Sequence, residues 1–279
     1  MKNGLYIVAT PIGNLNDISI RAIETLKCAE FIICENQKHS IKLLSKLGIK
    51  KKLIPLHDHN EDKVIKKVEK NLINQIIVLI SDAGSPLISD PGYKLVKFCE
   101  ENNVYFTTIP GPSSLIAALQ ISTIPINKFK FLGFAPKTKK GLVDYLAEVQ
   151  KSCITCVFFV SSHRVLSCLK EMLVIFGNRK IAVCKEITKL NEKKFIGLTK
   201  DVINKINKDS KNFLGEFVII VQGNKEYLAE RTVIGADIEK IISKLLNKFS
   251  LTDVVEIVHK FGYIGKKEIY KKALELKND

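Results

Sequence analysis

Short apolar, β-branched runs alternate with helix-length amphipathic stretches along the first part of the chain. Residues 5–9, 31–34, 53–56, 76–81 and 104–109 read as strands, and 19–27, 41–47, 61–72 and 92–101 read as helices between them. That alternation predicts parallel strands joined by right-handed crossovers, and hence an open α/β domain. The pattern breaks near Thr123-Ile124-Pro125-Ile126-Asn127, after which strand-like runs at 153–160, 180–187, 193–198 and 217–222 predict a second, mixed α/β domain. Beyond Arg231 the sequence reads as helix over 236–249, 252–261 and 266–276. Ser250 and Asp253 form a capping-box pattern, and Gly262 and Gly265 punctuate the turn before the last helix. The expected division is an α/β domain over 1–124, a mixed α/β domain over 125–230 and a helical appendage over 231–279.

With 279 residues, 46% of them apolar, the chain has material for two modest cores, which excludes a disordered or collagen-like protein. No apolar run approaches the roughly 18 residues of a spanning helix, and the first strand is too short for a signal-peptide core. A soluble, cytoplasmic protein without membrane association is expected. Of seven cysteines only Cys153 and Cys156 lie close together, beside the strand-like Val157-Phe158-Phe159-Val160, and no second pair answers them at zinc-finger spacing. No metal site is therefore expected.

Forty-four Lys and Arg against 29 Asp and Glu give a net charge of +15, which favours a polyanionic partner, with nucleic acid the natural one. Arginine occurs only at positions 21, 164, 179 and 231, so a Lys-, Asn- and Ile-rich compositional bias is the competing explanation.

Ligands of open parallel sheets sit beyond the carboxyl ends of the strands. Three loops rich in small residues fall there: Thr10-Pro11-Ile12-Gly13-Asn14-Leu15-Asn16-Asp17, the segment from Ser81-Asp82-Ala83-Gly84-Ser85-Pro86 through Asp90-Pro91-Gly92, and Pro110-Gly111-Pro112-Ser113-Ser114. They leave backbone N–H groups uncovered, and Asp82 and Asp90 offer acceptors for ribose hydroxyls or an ammonium group. Taken singly, each loop is equally readable as a turn. Neither G-x-G-x-x-G nor G-x-x-x-x-G-K-[ST] occurs, which counts against dinucleotide-linked hydride chemistry and a P-loop ATPase.

Leu5-Tyr6-Ile7-Val8-Ala9-Thr10-Pro11-Ile12-Gly13-Asn14-Leu15 and Ser81-Asp82-Ala83-Gly84-Ser85-Pro86 closely resemble the tetrapyrrole methylase superfamily. So do His57-Asp58-His59-Asn60, Asp90-Pro91-Gly92-Tyr93, Pro110-Gly111-Pro112-Ser113, Gly133-Phe134, Ser162-His163-Arg164, Glu186-Ile187-Thr188-Lys189 and Gly215-Glu216-Phe217. The likeness spans about residues 4–223 and is closest to those members that modify ribosomal RNA. The terminal helices are similar to their helix-turn-helix-like appendage. It implies the two-domain class III methyltransferase fold, a homodimer, and S-adenosylmethionine held in the cleft between the domains. The activity implied is methylation of a cytidine ribose 2′-oxygen in the decoding region of 16S rRNA, in the 30S subunit.

By the same resemblance, Asp82, Ala83, Gly84, Ser85, Pro86, Pro112, Ser113 and Ser114 would line the cofactor from the first domain, with Pro11 and Gly13. Leu132, Gly133, Phe134, Phe159, Ala182 and Gly215 would approach it from the second. Two segments depart from the family pattern. Glu35-Asn36-Gln37-Lys38 stands where Glu-Asp-Thr-Arg is usual, and Phe159-Val160 stands where an aromatic and a glutamate often precede Ser-x-His-Arg.

A ribose hydroxyl must be aligned with the methyl group and relieved of its proton. Glu35, His39, His163 and Glu186 are the candidate acceptors. Lys38, Arg164, Lys185 and Lys189, with Lys137, Lys139 and Lys140 in a loop, are candidate phosphate contacts, which position RNA without reading its bases. A tetrapyrrole methyltransferase of the same fold and a binding protein that has lost turnover remain as alternatives.

Overall fold

The computed structural model describes residues 1–224, 236–261 and 265–278. Arg231, Gly262 and the boundary expected at 230/231 lie outside them.

The first five apolar runs form β1 (Gly4–Val8), β2 (Phe31–Cys34), β3 (Lys52–Pro55), β4 (Ile76–Ile80) and β5 (Phe106–Ile109). They pair in the order β3-β2-β4-β1-β5, with every pairing parallel. Sequences such as Phe31-Ile32-Ile33-Cys34 are apolar at successive positions because both faces of the sheet are covered. Helices α1 (Ile20–Cys28) and α2 (Gln37–Lys46) pack Ala22, Leu26 and Leu44 against Tyr6, Ile32 and Val78. On the other face, α3 (Glu61–Asn74) and α4 (Tyr93–Glu101) pack Val68, Leu72 and Leu95 against Leu5, Ile33 and Leu79. The chain leaves β1 toward β2 over one face and β4 toward β5 over the other. Adjacent β1 and β4 thus flank the topological switch point, where a cleft opens at the carboxyl edge.

The second sheet comprises β6 (Phe129–Phe134), β7 (Thr155–Ser161), β8 (Lys180–Lys185), β9 (Lys193–Leu198) and β10 (Glu216–Val221), in the order β6-β7-β10-β8-β9. Only β6 and β7 are parallel, so the sheet is mixed. One face is covered by α6 (Lys139–Lys151), α7 (Val165–Phe176) and α8 (Thr199–Asn207) around fully buried Phe158, whose ring meets Tyr145 edge-on at 5.5 Å. The other face receives α5 (Ser114–Ile121), which follows β5 but sets Ala118 and Leu119 against Val157, Ala182, Val218 and Ile220 of the second sheet. Helix α5 therefore couples the two halves of the molecule.

The last described elements are α9 (Ala236–Leu246), α10 (Leu251–Phe261) and α11 (Lys266–Asn278), which share a small core of Ile242, Val254, Val258, Ile269 and Ala273. Ser250 caps α10 as expected, since its Oγ lies 2.6 Å from an Asp253 carboxylate oxygen and accepts the Asp253 N–H at 3.2 Å.

Several elements differ from the sequence expectation. Helix α2 starts at Gln37 rather than 41, because Asn36 Oδ1 accepts the N–H groups of Lys38 and His39. Strand β8 stops at Lys185 rather than 187, because Glu186 and Thr188 adopt left-handed backbone angles. Helices α5 to α8 and strand β6 have no counterpart in the sequence expectation. The sequence of α5, Ser-Leu-Ile-Ala-Ala-Leu-Gln-Ile, is apolar nearly all round, so it carries no 3.6-residue stripe. Lys139 and Lys140 lie in the first turn of α6, not in a loop; only Lys137 precedes the helix.

Truncating Phe158 to Ala leaves a cavity at the centre of the second core that the flanking strands cannot close. The expected destabilisation is about 3–5 kcal/mol, read as a lower urea midpoint in equilibrium unfolding.

Candidate functional site

The first two carboxyl-edge loops are clasped to each other. Thr10 N–H donates to Gly84 O at 2.9 Å and Gly84 N–H to Thr10 O at 3.0 Å, while the buried Thr10 hydroxyl donates to Ser81 O at 3.3 Å. This fixes the loop after β4 at the switch point. Beyond it lies a cavity of about 560 Å³ between the two sheets, a size suited to a ligand of cofactor dimensions.

The walls differ in chemistry. One is acidic: Glu35 at the end of β2, with Asp82 and Asp90 from the loop after β4, all line it. Asp82 Oδ1 accepts the Asn36 N–H at 3.1 Å, and the Glu35 carboxylate accepts the Asp82 N–H. Burial, then the Asp82 charge, raises the Glu35 pKa. Burial and then the Glu35 carboxylate raise that of Asp90 to about 6. The opposite side brings in aromatic and apolar groups, with Phe134 and Phe159 tilted against one another at 5.2 Å beside Ile12, Leu115 and Val218, together with the polar Ser161, Ser162, His163 and Glu216.

Local sequence aims Phe134. The β6–β7 register passes from Phe131 opposite Val157 to Phe134 opposite Phe159, so β6 carries one extra residue. Gly133, with φ +66°, makes this bulge possible, and it turns Phe134 into the cleft, where its ring is 60% exposed.

Several residues expected at the cofactor do line the cavity. From the first sheet these are Asp82, Ala83, Gly84, Ser85, Ser113 and Ser114, and from the second Phe134, Phe159 and Gly215. Of the candidate proton acceptors, Glu35 and His163 line it; His39 and Glu186 do not. Leu132, Gly133, Pro86, Pro112 and Pro11 also fall outside the lining, Gly133 acting through its bulge. Gly13 is required for another reason: a side chain there would collide with Lys189 and the Thr188 hydroxyl, so its loop passes directly over the turn after β8. Ala182 is fully buried beneath α5 and faces no cavity.

The expected phosphate contacts also divide. Lys38, Lys137, Lys139 and Lys140 are exposed. Lys185 is buried and donates to Lys211 O at 2.7 Å, so it does not reach a solvent-side phosphate. The Arg164 guanidinium donates to the carbonyls of Ala135 and Pro136 and to Ser161 Oγ, one bond from each nitrogen, and so braces the end of β6. Lys189 is held by Glu186 at 2.9 Å and Glu216 at 3.0 Å.

Lining residues to which the sequence assigns no individual role include Ile88 and Ser89 in the loop after β4, Ser162, Ile187 and Glu216 in the matched stretches, and Ser161. The turn sequences around them were legible as loops, but which loops of the second sheet face the first depends on the packing of α5. The two departures from the family pattern have structural accounts. Asn36 caps α2 through its side-chain oxygen, and Gln37 Nε2 donates to Leu53 O at 3.0 Å. Val160 is a buried core residue at the cavity wall.

Residues 4–203 match the family model described as tetrapyrrole (corrin/porphyrin) methylases. The chain is 39% identical to the ribosomal RNA small subunit methyltransferase I of Rickettsia prowazekii, over 97% of this chain and 96% of that protein. It is 35% identical to the protein of the same name from Escherichia coli O157:H7, over 97% and 94%. Among solved structures, it is similar in fold to the uroporphyrin-III C-methyltransferase of Thermus thermophilus. The TM-score is 0.56 and the identity 16%, covering 79% of this chain and 94% of that one. A cobalt precorrin-4 methyltransferase gives 0.58 and 18%, covering 78% and 94%.

The ion pairs at the mouth predict a pH-dependent contribution to stability. Burial opposes the charge on Glu186, but the hydrogen bonds from Lys189 and the Glu216 N–H prevail and hold its pKa below the usual carboxylate range. Burial likewise opposes the Lys189 charge, and the two carboxylates prevail and raise its pKa. Lys189→Met should cost on the order of 1 kcal/mol at neutral pH. The difference from wild type should vanish as pH falls through the lowered Glu186 value, and again as pH rises through the raised Lys189 value. Urea midpoints measured across pH check this.

Proposed function

The chain belongs to the tetrapyrrole (corrin/porphyrin) methylase family, and from that premise we propose that it transfers the methyl group of S-adenosylmethionine to a cytidine ribose 2′-oxygen in the decoding region of 16S rRNA, within the small ribosomal subunit. The observation that carries the substrate assignment is near-full-length similarity to ribosomal RNA small subunit methyltransferase I proteins.

The cavity fits the cofactor chemically. A molecule with a planar apolar base, ribose hydroxyls, an ammonium and a sulfonium matches a site that is aromatic on one wall and acidic on the other. When bound, the cofactor supplies a methyl group already activated on sulfur. Phe134 and Phe159 would enclose the base, Asp82 and Glu35 would accept hydrogen bonds from ammonium or hydroxyl donors, and Gly84 and Ser85 would offer backbone groups. Ser113, Ser114 and Gly215 would close the remaining sides and exclude water, which leaves alignment of the acceptor hydroxyl as the main task of the protein.

The exposed lysines supply a means of holding the RNA backbone. Lys139 and Lys140 occupy the first turn of α6, where the helix dipole disfavours cations. With Lys137 just before the helix and Lys38 in the first turn of α2, they are suited to positioning phosphates. A cytoplasmic homodimer follows from the same reading. No described helix is long and apolar enough to cross a membrane.

The test is transfer of labelled methyl from S-adenosylmethionine to 30S subunits lacking the modification, with free 16S rRNA and uroporphyrinogen as parallel acceptors. Ribose label in the 30S sample, abolished by Asp82→Ala, is the expected result. Label on uroporphyrinogen instead, or on no acceptor despite cofactor binding, would overturn the proposal.

A further inference from the structure

We infer that Asp90 is the proton acceptor for the ribose hydroxyl, placed at the cavity wall by a loop anchored at both ends. The inference rests on the methyl-transfer reading above and adds the group that completes its bond changes. As the 2′-oxygen–carbon bond forms, the methyl–sulfur bond breaks and its electron pair stays on sulfur. The hydroxyl proton passes to an Asp90 carboxylate oxygen, which later returns it to water.

Geometry singles out this residue. The loop is held at its start by the Thr10–Gly84 clasp and at its end by Glu61, a buried carboxylate that accepts the N–H groups of Gly92 at 3.1 Å and Lys94 at 2.9 Å. Between these anchors Leu87 and Ser89 take φ values of +74° and +71°, a conformation that costs side-chain-bearing residues energy and persists only where the surroundings impose it. That imposed turn sets Asp90 in the cavity.

Of the other candidates, Glu35, Asp82, Glu186 and His39 are engaged elsewhere or lie away from the cavity, and His163, which lines it, is tested beside Asp90 below. Glu186 is paired with Lys189, and His39 stands exposed on α2 outside the cavity. Glu35 and Asp82 each accept a backbone N–H, Glu35 from Asp82 and Asp82 from Asn36, which ties both carboxylates to the framework of the neighbouring loop. Asp90 faces Glu35 from β2 and Asp82 from its own loop, with His163 and Glu216 on the opposite wall; the Ser81 hydroxyl alone favours its charge. A carboxylate whose pKa is pushed up to about 6 is still ionised near neutrality and is a stronger base than an ordinary aspartate.

Three measurements decide the matter: single-turnover transfer to 30S subunits across pH, calorimetric titration with S-adenosylmethionine, and a carbon-13 carboxyl titration of the free protein. The wild-type rate should rise about tenfold per pH unit in acid and level off above the Asp90 midpoint. Asp90→Asn should lower the rate about 10²–10⁴-fold with cofactor affinity unchanged, and its residual rate should lack the acidic limb. Asp90→Glu should restore part of the rate with a displaced midpoint. The carboxyl titration should place Asp90 at about 6. An Asp90→Asn enzyme with the rate and limb of the wild type would overturn the inference alone, as would a parallel loss of cofactor affinity, which would assign Asp90 to cofactor binding. Abolition of the limb by His163→Gln with Asp90 intact, or a carboxyl midpoint in the ordinary aspartate range, would overturn it too. Absence of transfer by the wild-type protein would remove the methyl-transfer reading itself.

Discussion

Two reciprocal hydrogen bonds between Thr10 and Gly84 join the loops that leave β1 and β4, the strands on either side of the switch point. At that point crossovers depart over opposite faces of the sheet, so nothing covers the carboxyl edge and a cleft is unavoidable. The clasp turns an open edge into a defined wall. It fixes where Asp82 stands, which lets Asp82 accept the N–H of Asn36, the capping residue of α2, and donate its own N–H to Glu35. From the same anchored loop the chain runs through the left-handed turn at Leu87 and Ser89 to Asp90 and then to the Glu61-capped start of α4. The acidic groups that the first sheet gives the cavity are thus referred, directly or through one neighbour, to that pair of backbone bonds.

The second sheet supplies what the first lacks. Its distinctive contribution is a pair of aromatic rings, brought together by a one-residue bulge that aims Phe134 at Phe159. The halves are brought together by α5, which begins at the first sheet's edge and buries Ala118 and Leu119 on the second sheet. The resulting cavity has carboxylates opposite rings, while the chain as a whole carries +15. This opposition separates two tasks. The acidic wall suits a cationic methyl donor, and the surrounding lysines attract an anionic acceptor over longer range. Acidic groups deep in a basic protein also interact mainly with one another, which is why burial and mutual repulsion raise the pKa of Glu35 and Asp90.

Local pattern was a good guide to the first sheet and the terminal helices. The five parallel strands, the helices between them and the Ser250 cap follow from apolar runs, 3.6-residue stripes and capping chemistry, which are properties of neighbouring residues. It was a poorer guide to the helices around the second sheet. Helix α5 is apolar nearly all round although its buried residues pack on the second sheet, and the first turn of α6 is a run of lysine and glycine that reads as loop. Charge type alone was equally silent about partners. Lys185 and Arg164 are basic residues in matched motifs, yet one is buried against a backbone carbonyl and the other braces a strand end.

By itself, the sequence determined the alternation that makes a parallel sheet, the three loops at its carboxyl edge, and the resemblance that names a cofactor and a substrate class. These are legible because strand and helix periodicity, turn residues and motif spacing are written over short stretches of chain. Only the tertiary structure decided which loops of the second sheet meet the first, that Ala182 lies beneath α5 rather than at the cleft, and that Asp90 shares a wall with Glu35 and Asp82. Those outcomes depend on contacts between residues tens of positions apart, and a carboxylate's basicity depends on how much water and which charges surround it after the chain has folded.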